Sequence, residues 1–187
     1  MRTCRADMSS PDAKALGFKW PESGPVECHD WSPEAECGHG LHGLLWGEGD
    51  GQTLCWDTDA KWLAVAVAEK SIVALGGKVK FPRGRVVLVG DGASVADLIQ
   101  QHAPKGTCVV RGTAMAGYRG TAMAGDGGTA TAGYGGSIAI RWWDGDSSRY
   151  RIRAFDVGEN GIKAQTKYRL DDRGQVVEVP AETSVAK

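Results

Sequence analysis

Arg111 to Ser137 reads RGTAMAGYRGTAMAGDGGTATAGYGGS, and its period is eight. Gly112–Arg119 is GTAMAGYR, Gly120–Gly127 is GTAMAGDG and Gly128–Gly135 is GTATAGYG; a degenerate octad, GSIAIRWW, continues the phase to Trp143. Glycine admits the tight backbone corners that other residues resist. Between the corners four residues alternate, so if the alanines face inward, Thr113, Thr121 and Thr129 face outward. A short, glycine-punctuated period of small alternating residues predicts a narrow β-solenoid. The seventh position runs Tyr118, Asp126, Tyr134, which favours a sixteen-residue coil with two unlike sides. Tyr118 then stacks over Tyr134 and Thr113 over Thr129.

Alanine buries little apolar surface, so so short a stack needs a template at each end. On the C-terminal side Ile138 and Ile140 take over the inward phase and Trp142-Trp143 follow, so the narrow interior widens. Two hairpins are expected beyond it: Arg149–Val157 with Ile162–Leu170 through Gly158-Glu-Asn-Gly161, then a turn at Asp171–Gly174 into Val176–Val179. Residues 138–187 are read as an antiparallel β-hairpin cap ending in a frayed tail from Pro180. Before the octads, strands are expected at Trp62–Ala68, Lys78–Phe81, Arg85–Val89 and Thr107–Val110, with a turn at Pro82-Arg83-Gly84. A helix from Val95 to His102 is capped by Ser94 and stopped by Pro104. The expected fold is thus an α+β N-terminal domain over 1–110, a Gly/Ala/Thr-rich β-solenoid over 111–137 and the cap.

The chain has 187 residues, 42% of them hydrophobic, with seven tryptophans, which is enough to bury a core. Its formal net charge of -1 provides no global field for a nucleic acid backbone, so nonspecific nucleic-acid binding is not expected. The apolar run at Trp62–Ala68 is too short to span a bilayer and no basic-then-apolar leader opens the chain, so a cytoplasmic protein without membrane contact is expected. Five cysteines, an odd number, do not read as a secreted disulfide framework.

Thr3-Cys-Arg5, Gly17-Phe-Lys-Trp20-Pro21, Gly24 and the run Cys37-Gly-His-Gly-Leu-His-Gly43 resemble a family of unknown function recurrent in phage, prophage and actinobacterial proteins. Its signature is approximately Cys-x-x-Gly-(Phe/Leu)-His-(Ala/Gly). The resemblance covers roughly residues 1–110 and implies a domain followed by a glycine-rich repeat, without implying a biochemical role. The octads separately resemble the repeats of bacterial ice-nucleation proteins. They depart from them in having three good octads and in placing Met115 and Met123 where a second outward threonine is expected.

Cys28, His29, Cys37, His39 and His42 fall within fifteen residues and are chemically competent zinc ligands, but their spacing fits no standard finger. No cofactor is expected, and zinc is the one metal this set could hold. The plainer expectation is a buried Cys37 and a His42 bonded to backbone. His42 with Glu48 and Asp50 could form an acid/base cluster on the glycine-rich loop Trp46–Asp50. Arg2 and Arg5 offer anion contacts, and Arg5, His42 and Trp46 are the candidate ligand-binding set. Nothing supplies a nucleophile, and phosphate-loop and dinucleotide-binding glycine patterns are absent.

These features predict a non-enzymatic binding or assembly module that self-associates as a homodimer. Thr113, Met115, Tyr118, Thr121, Met123, Thr129 and Tyr134 would form the interface, with a protein partner in place of a second copy as the variant of the same reading. The alternative is a nucleotide-sequestering protein or nucleotide-handling enzyme with a small-nucleotide site near His42.

Overall fold

A computed structural model describes residues 1–11 and 17–180. The expected tail from 181 to 187 lies outside the described residues. The chain divides into two compact units, Met1–Thr107 and Cys108–Lys187.

The first unit is built from short strands: β1 (Arg2–Cys4), β2 (Gly24–Glu27), β3 (Leu41–Gly43), β4 (Lys61–Ala66), β5 (Val73–Ala74), β6 (Val79–Phe81) and β7 (Arg83–Gly90). Four of them make an antiparallel sheet in the order β1-β4-β7-β2 and three make a second, β3-β6-β5. Helix α1 (Gly92–His102) is the single α-helix among the described residues. Asp91 caps it: its Oδ1 accepts from the Ser94 backbone N–H at 2.8 Å, satisfying a donor the first turn leaves open. Val95, Ala96 and Ile99 form its buried face. The apolar centre includes Cys4, Trp20, Leu63, Phe81 and Val86.

Several expectations are corrected here. With two small sheets and one short helix the N-terminal unit is mostly β, not α+β. The cap of α1 is Asp91, not Ser94. Pro82 does not turn a hairpin, because β6 and β7 belong to different sheets. Thr107–Val110 is not a strand.

The second unit contains β8 (Thr113–Ala116), β9 (Thr121–Ala124), β10 (Thr129–Ala132), β11 (Ser137–Asp144), β12 (Arg149–Asp156), β13 (Tyr168–Leu170) and β14 (Val176–Glu178). The octad strands pair in parallel at a separation of sixteen residues, Thr113 opposite Thr129 and Thr121 opposite Ser137. The alanines face inward: Ala114, Ala122, Ala124, Ala130 and Ala132 are buried in one cluster with Ile138 and Ile140. The expected solenoid between a domain and a cap is nevertheless not the architecture. The octad strands are divided between two small mixed sheets, β14-β13-β10-β8 and β12-β11-β9, each completed by antiparallel strands of the same unit. The expected pairing of Arg149–Val157 with Ile162–Leu170 is also replaced. β12 returns along β11 from Arg149 opposite Asp144 to Asp156 opposite Ser137, while β13 pairs with β10 and β14.

Close stacking explains the corner glycines. A Cβ on Gly136 would stand 2.5 Å from the carbonyl oxygen of Gly120, sixteen residues earlier, and a Cβ on Gly128 would stand 2.6 Å from that of Gly112. No side chain fits there without moving the backbone.

Enlarging an inward alanine should therefore force the sheets apart. Ala122→Leu is expected to cost about 1–3 kcal/mol, read as a lowered melting temperature of the second unit. Thr121→Val, on the exposed face of the same strand, should stay within about 0.5 kcal/mol of the parent. Equal melting temperatures for Ala122→Leu and the parent would contradict the inward assignment.

Candidate functional site

The octads carry four of the five large apolar side chains left exposed among the described residues of the second unit. Each inward alanine sends its neighbours outward, so Thr113 and Met115 leave one sheet while Thr121 and Met123 leave the other. Met115 is 78% exposed and Met123 51%. At the corner joining the two sheets Tyr118 is 70% exposed and Tyr134 68%. The two corners stack: the Arg119 N–H donates to the Tyr134 carbonyl at 3.0 Å, and the Arg119 guanidinium lies 5.0 Å from the Tyr118 ring centroid. The threonine row is bonded within itself, Thr129 Oγ1 donating to Thr113 Oγ1 at 3.2 Å. The result is a ridge of methionine and tyrosine bordered by threonine. Thioethers adapt their shape and phenols combine an apolar ring with a polar tip, which suits a contact surface.

The opposite corner is polar. The Asp126 carbonyl accepts from the Arg111 N–H at 2.9 Å, and its carboxylate accepts from the Trp143 N–H at 3.3 Å. Burial raises the Asp126 carboxyl above its ordinary 3.8, although the Trp143 hydrogen bond and the charges of Arg141 and Arg111 pull the other way.

In the first unit the sequence-adjacent candidates are kept apart. His42 lies in the middle of β3, opposite Lys80 of β6. Its Nε2 accepts from the Gly38 N–H at 3.4 Å, and the buried Lys80 donates to the Gly38 carbonyl at 3.4 Å with its ammonium 5.6 Å from the Trp31 ring centroid. These contacts pin the loop before β3 to the sheet. His39 faces Asp30 at 3.5 Å, while exposed Cys37 accepts from Lys78 at 3.2 Å. The expectation of a buried Cys37 is thereby corrected, and that of a backbone-bonded His42 matches. Burial pushes the Cys4 thiol up to about 11 and also raises Cys28 and Cys55, which disfavours their thiolates. His29 packs near Phe18, ring centroids 6.4 Å apart. Among the described residues no group of three His, Cys, Asp or Glu side chains is placed to hold a metal.

Asp50 caps a short 3-10 turn, its Oδ1 accepting from the Gln52 N–H at 3.0 Å, and Glu48 is exposed on the preceding loop. Arg5 donates to the carbonyls of Ser10 and Pro11 at 3.0 and 3.4 Å, so its guanidinium holds its own loop. Of the candidate ligand-binding set, Trp46 alone lines a cavity of about 810 Å³, together with Leu44, Phe81, Val87, Leu98 and Ile99. Sequence reasoning missed this cavity. Its one signal is the apolar run Leu44-Leu45-Trp46, of which the last two remain exposed.

The sign of the Asp126 shift is testable. A carboxyl whose folded pKa lies above its unfolded one favours folding in its protonated form, and that stabilisation is lost as pH rises through the folded value. Asp126→Asn, which keeps an acceptor for the Trp143 N–H, should raise the melting temperature at pH 7. The gain over the parent should shrink as pH falls below the ordinary 3.8. A gain that persists unchanged into acid would assign the effect to something other than ionisation.

Comparison with known proteins places these features among relatives. Proteins described as "Ice nucleation protein" match about half of the chain: that of Xanthomonas campestris pv. translucens is 42% identical over 106 residues, 56% of this chain and 6% of its own length. One from Pseudomonas syringae is 42% identical over 101 residues, 53% of this chain and 8% of its own length. One from Pseudomonas fluorescens is 36% identical over 107 residues, 56% of this chain and 8% of its own length. The chain thus spans well under a fifth of these relatives, and is a repeat-containing module similar to part of them. No solved structure matches it. No helix among the described residues is long and apolar enough to cross a membrane. Residues 1–101 match the model of one family, more than half of the chain, and the protein therefore belongs to the family described as "Domain of unknown function (DUF7666)".

Proposed function

We propose that the protein is a non-enzymatic assembly module that associates with a second copy of itself through the outward ridge of its octads. The observation that carries this reading is exposure. Of nine large hydrophobic side chains left exposed among the described residues, four are Met115, Tyr118, Met123 and Tyr134. Burying them against a like surface removes apolar area from water without a charge to desolvate, except at Arg119. A twofold arrangement lets each ridge meet its own symmetry mate, so one patch serves both partners.

The relatives named for ice nucleation are consistent with this. Here each outward row of hydroxyls has only two members, Thr113 with Thr129 and Thr121 with Ser137. Packing against another protein surface needs about 800 Å² per partner. Two sheet faces and the tyrosine corner are suited to that scale, whereas rows of two are too short to template a lattice.

Sedimentation of the intact chain at high micromolar concentration tests the proposal. The parent should sediment as a dimer, and Tyr118→Ser combined with Tyr134→Ser should shift it to monomer with an unchanged circular dichroism spectrum. A parent that remains monomeric would leave the octads as a spacer.

A further inference from the structure

The second unit holds a cleft of about 650 Å³ whose lining contains four arginines and two aspartates. Its chemistry is set by β12. Arg149, Arg151 and Arg153 occupy alternate positions of the strand, so they leave the same face, opposite Asp144, Trp142 and Ile140 of β11. Arg151 is committed: it donates to Asp144, and its Nη2 lies 3.4 Å from Ser147 Oγ. Ser147 and Arg151 together hold the Asp144 carboxyl down to about 2, so this carboxylate stays ionised and stays with its partner. Arg149 and Arg153 form no salt bridge with any described residue.

A third such guanidinium comes from another element. Arg173 sits in the turn between β13 and β14 and lines the same cleft, again without a salt bridge to a described residue. Gly174 fixes its place. At φ +69° this residue presses on the Trp142 indole so closely that an added Cβ would overlap the ring. The indole also lines the cleft.

Four arginines against the two carboxylates of Asp144 and Asp146 leave the cleft net cationic, and three of the four guanidiniums form no salt bridge with a described residue; with an aromatic wall beside them, they suit a ligand rich in anionic oxygen. Every cationic side chain lining the cleft is arginine and none is lysine. The guanidinium fork matches the oxygen pairs of phosphate, whereas an ammonium acts as a point charge. One inorganic phosphate would fill only a small part of the cleft and answer one or two of the three charges. We infer that this cleft binds a small molecule carrying a chain of two or more phosphate groups, as a free polyphosphate or as the phosphate chain of a nucleotide. The site does not involve the octad ridge, so it stands independently of the assembly reading.

Isothermal titration calorimetry of the intact chain at low ionic strength, with tripolyphosphate, ATP and inorganic phosphate as separate titrants, tests this. Tripolyphosphate should bind saturably at one site per chain and inorganic phosphate more weakly. Equal affinity for ATP would show that the phosphates alone are read, and tighter ATP binding that the nucleoside is read as well. Arg153→Gln and Arg173→Gln should each weaken binding about tenfold or more, the scale of one lost charge-assisted hydrogen bond. Arg153→Lys, which keeps the charge and loses the fork, should fall between the parent and Arg153→Gln. Arg85→Gln, in the first unit, should leave the affinity unchanged. Absence of saturable binding at millimolar tripolyphosphate overturns the inference. So does binding that survives the combined Arg149, Arg153 and Arg173 to Gln changes in a protein with the parent's melting temperature. Sedimentation of those variants should match the parent, which separates a failure here from a failure of assembly.

Discussion

The second unit depends on how close two stacked β-layers can come when alanine is the only side chain between them. A methyl group is the smallest side chain that still excludes water, so Ala114, Ala122, Ala124, Ala130 and Ala132 bring the facing sheets into contact while burying little area each. That closeness in turn requires glycine at the corners, where carbonyls sixteen residues earlier occupy the space a Cβ would need. Alanine inside and glycine at the turns are one constraint expressed twice. With so small an apolar contribution the ladder hydrogen bonds carry much of the order, and strands from outside the repeat finish both sheets. β13 adds to β10 and β12 to β11, each antiparallel to its octad partner.

Where the interior widens, the chemistry changes. Ile138 and Ile140 continue the inward phase with larger side chains, and Tyr168 and Ile162 close over the same cluster. One step further along the strand comes Trp142, whose indole packs against Gly174 of the β13–β14 turn. β11 and β12 run on as a two-stranded ribbon past the alanine core, and the β13–β14 turn folds onto the indole rather than onto another strand.

The octads were legible because both of their periods are local. Two-residue alternation assigns the faces, and the sixteen-residue register follows from Tyr118, Asp126 and Tyr134 without knowledge of any distant segment. The partners of β12 were not legible, because two turn signals competed for it. Gly158-Glu-Asn-Gly161 does turn the chain, with the Gly158 N–H donating to the Ile162 carbonyl at 2.8 Å. Asp144, however, accepts from the backbone of both Asp146 and Ser147 and so closes the earlier turn first. In the first unit, β1 pairs with β4, Thr3 opposite Trp62, and no local pattern records a pairing across so many residues. The Cys/His cluster misled for a related reason. Nearness in sequence is not convergence in a strand, where Leu41 and Gly43 take one face and His42 the other. The apolar cavity beside Trp46 needs α1, β4 and β6 folded together before its walls exist.

Net charge sets a different limit on what composition reveals. A formal charge of -1 argues against a field extending over the whole surface, and so against loose attraction to any polyanion. It carries no information about local arrangement, because opposite charges cancel in a sum and need not meet in space. β12 carries arginine at three alternate positions of one face, and among the described residues only one of the three forms a salt bridge with a carboxylate. Screening in salt weakens the long-range field that the total charge describes far more than it weakens groups converging in one cleft. A nearly neutral chain can therefore hold a confined cationic site. Selectivity then follows from geometry, since a ligand must bring its negative charge in a length and shape that reach Arg149, Arg153 and Arg173 together.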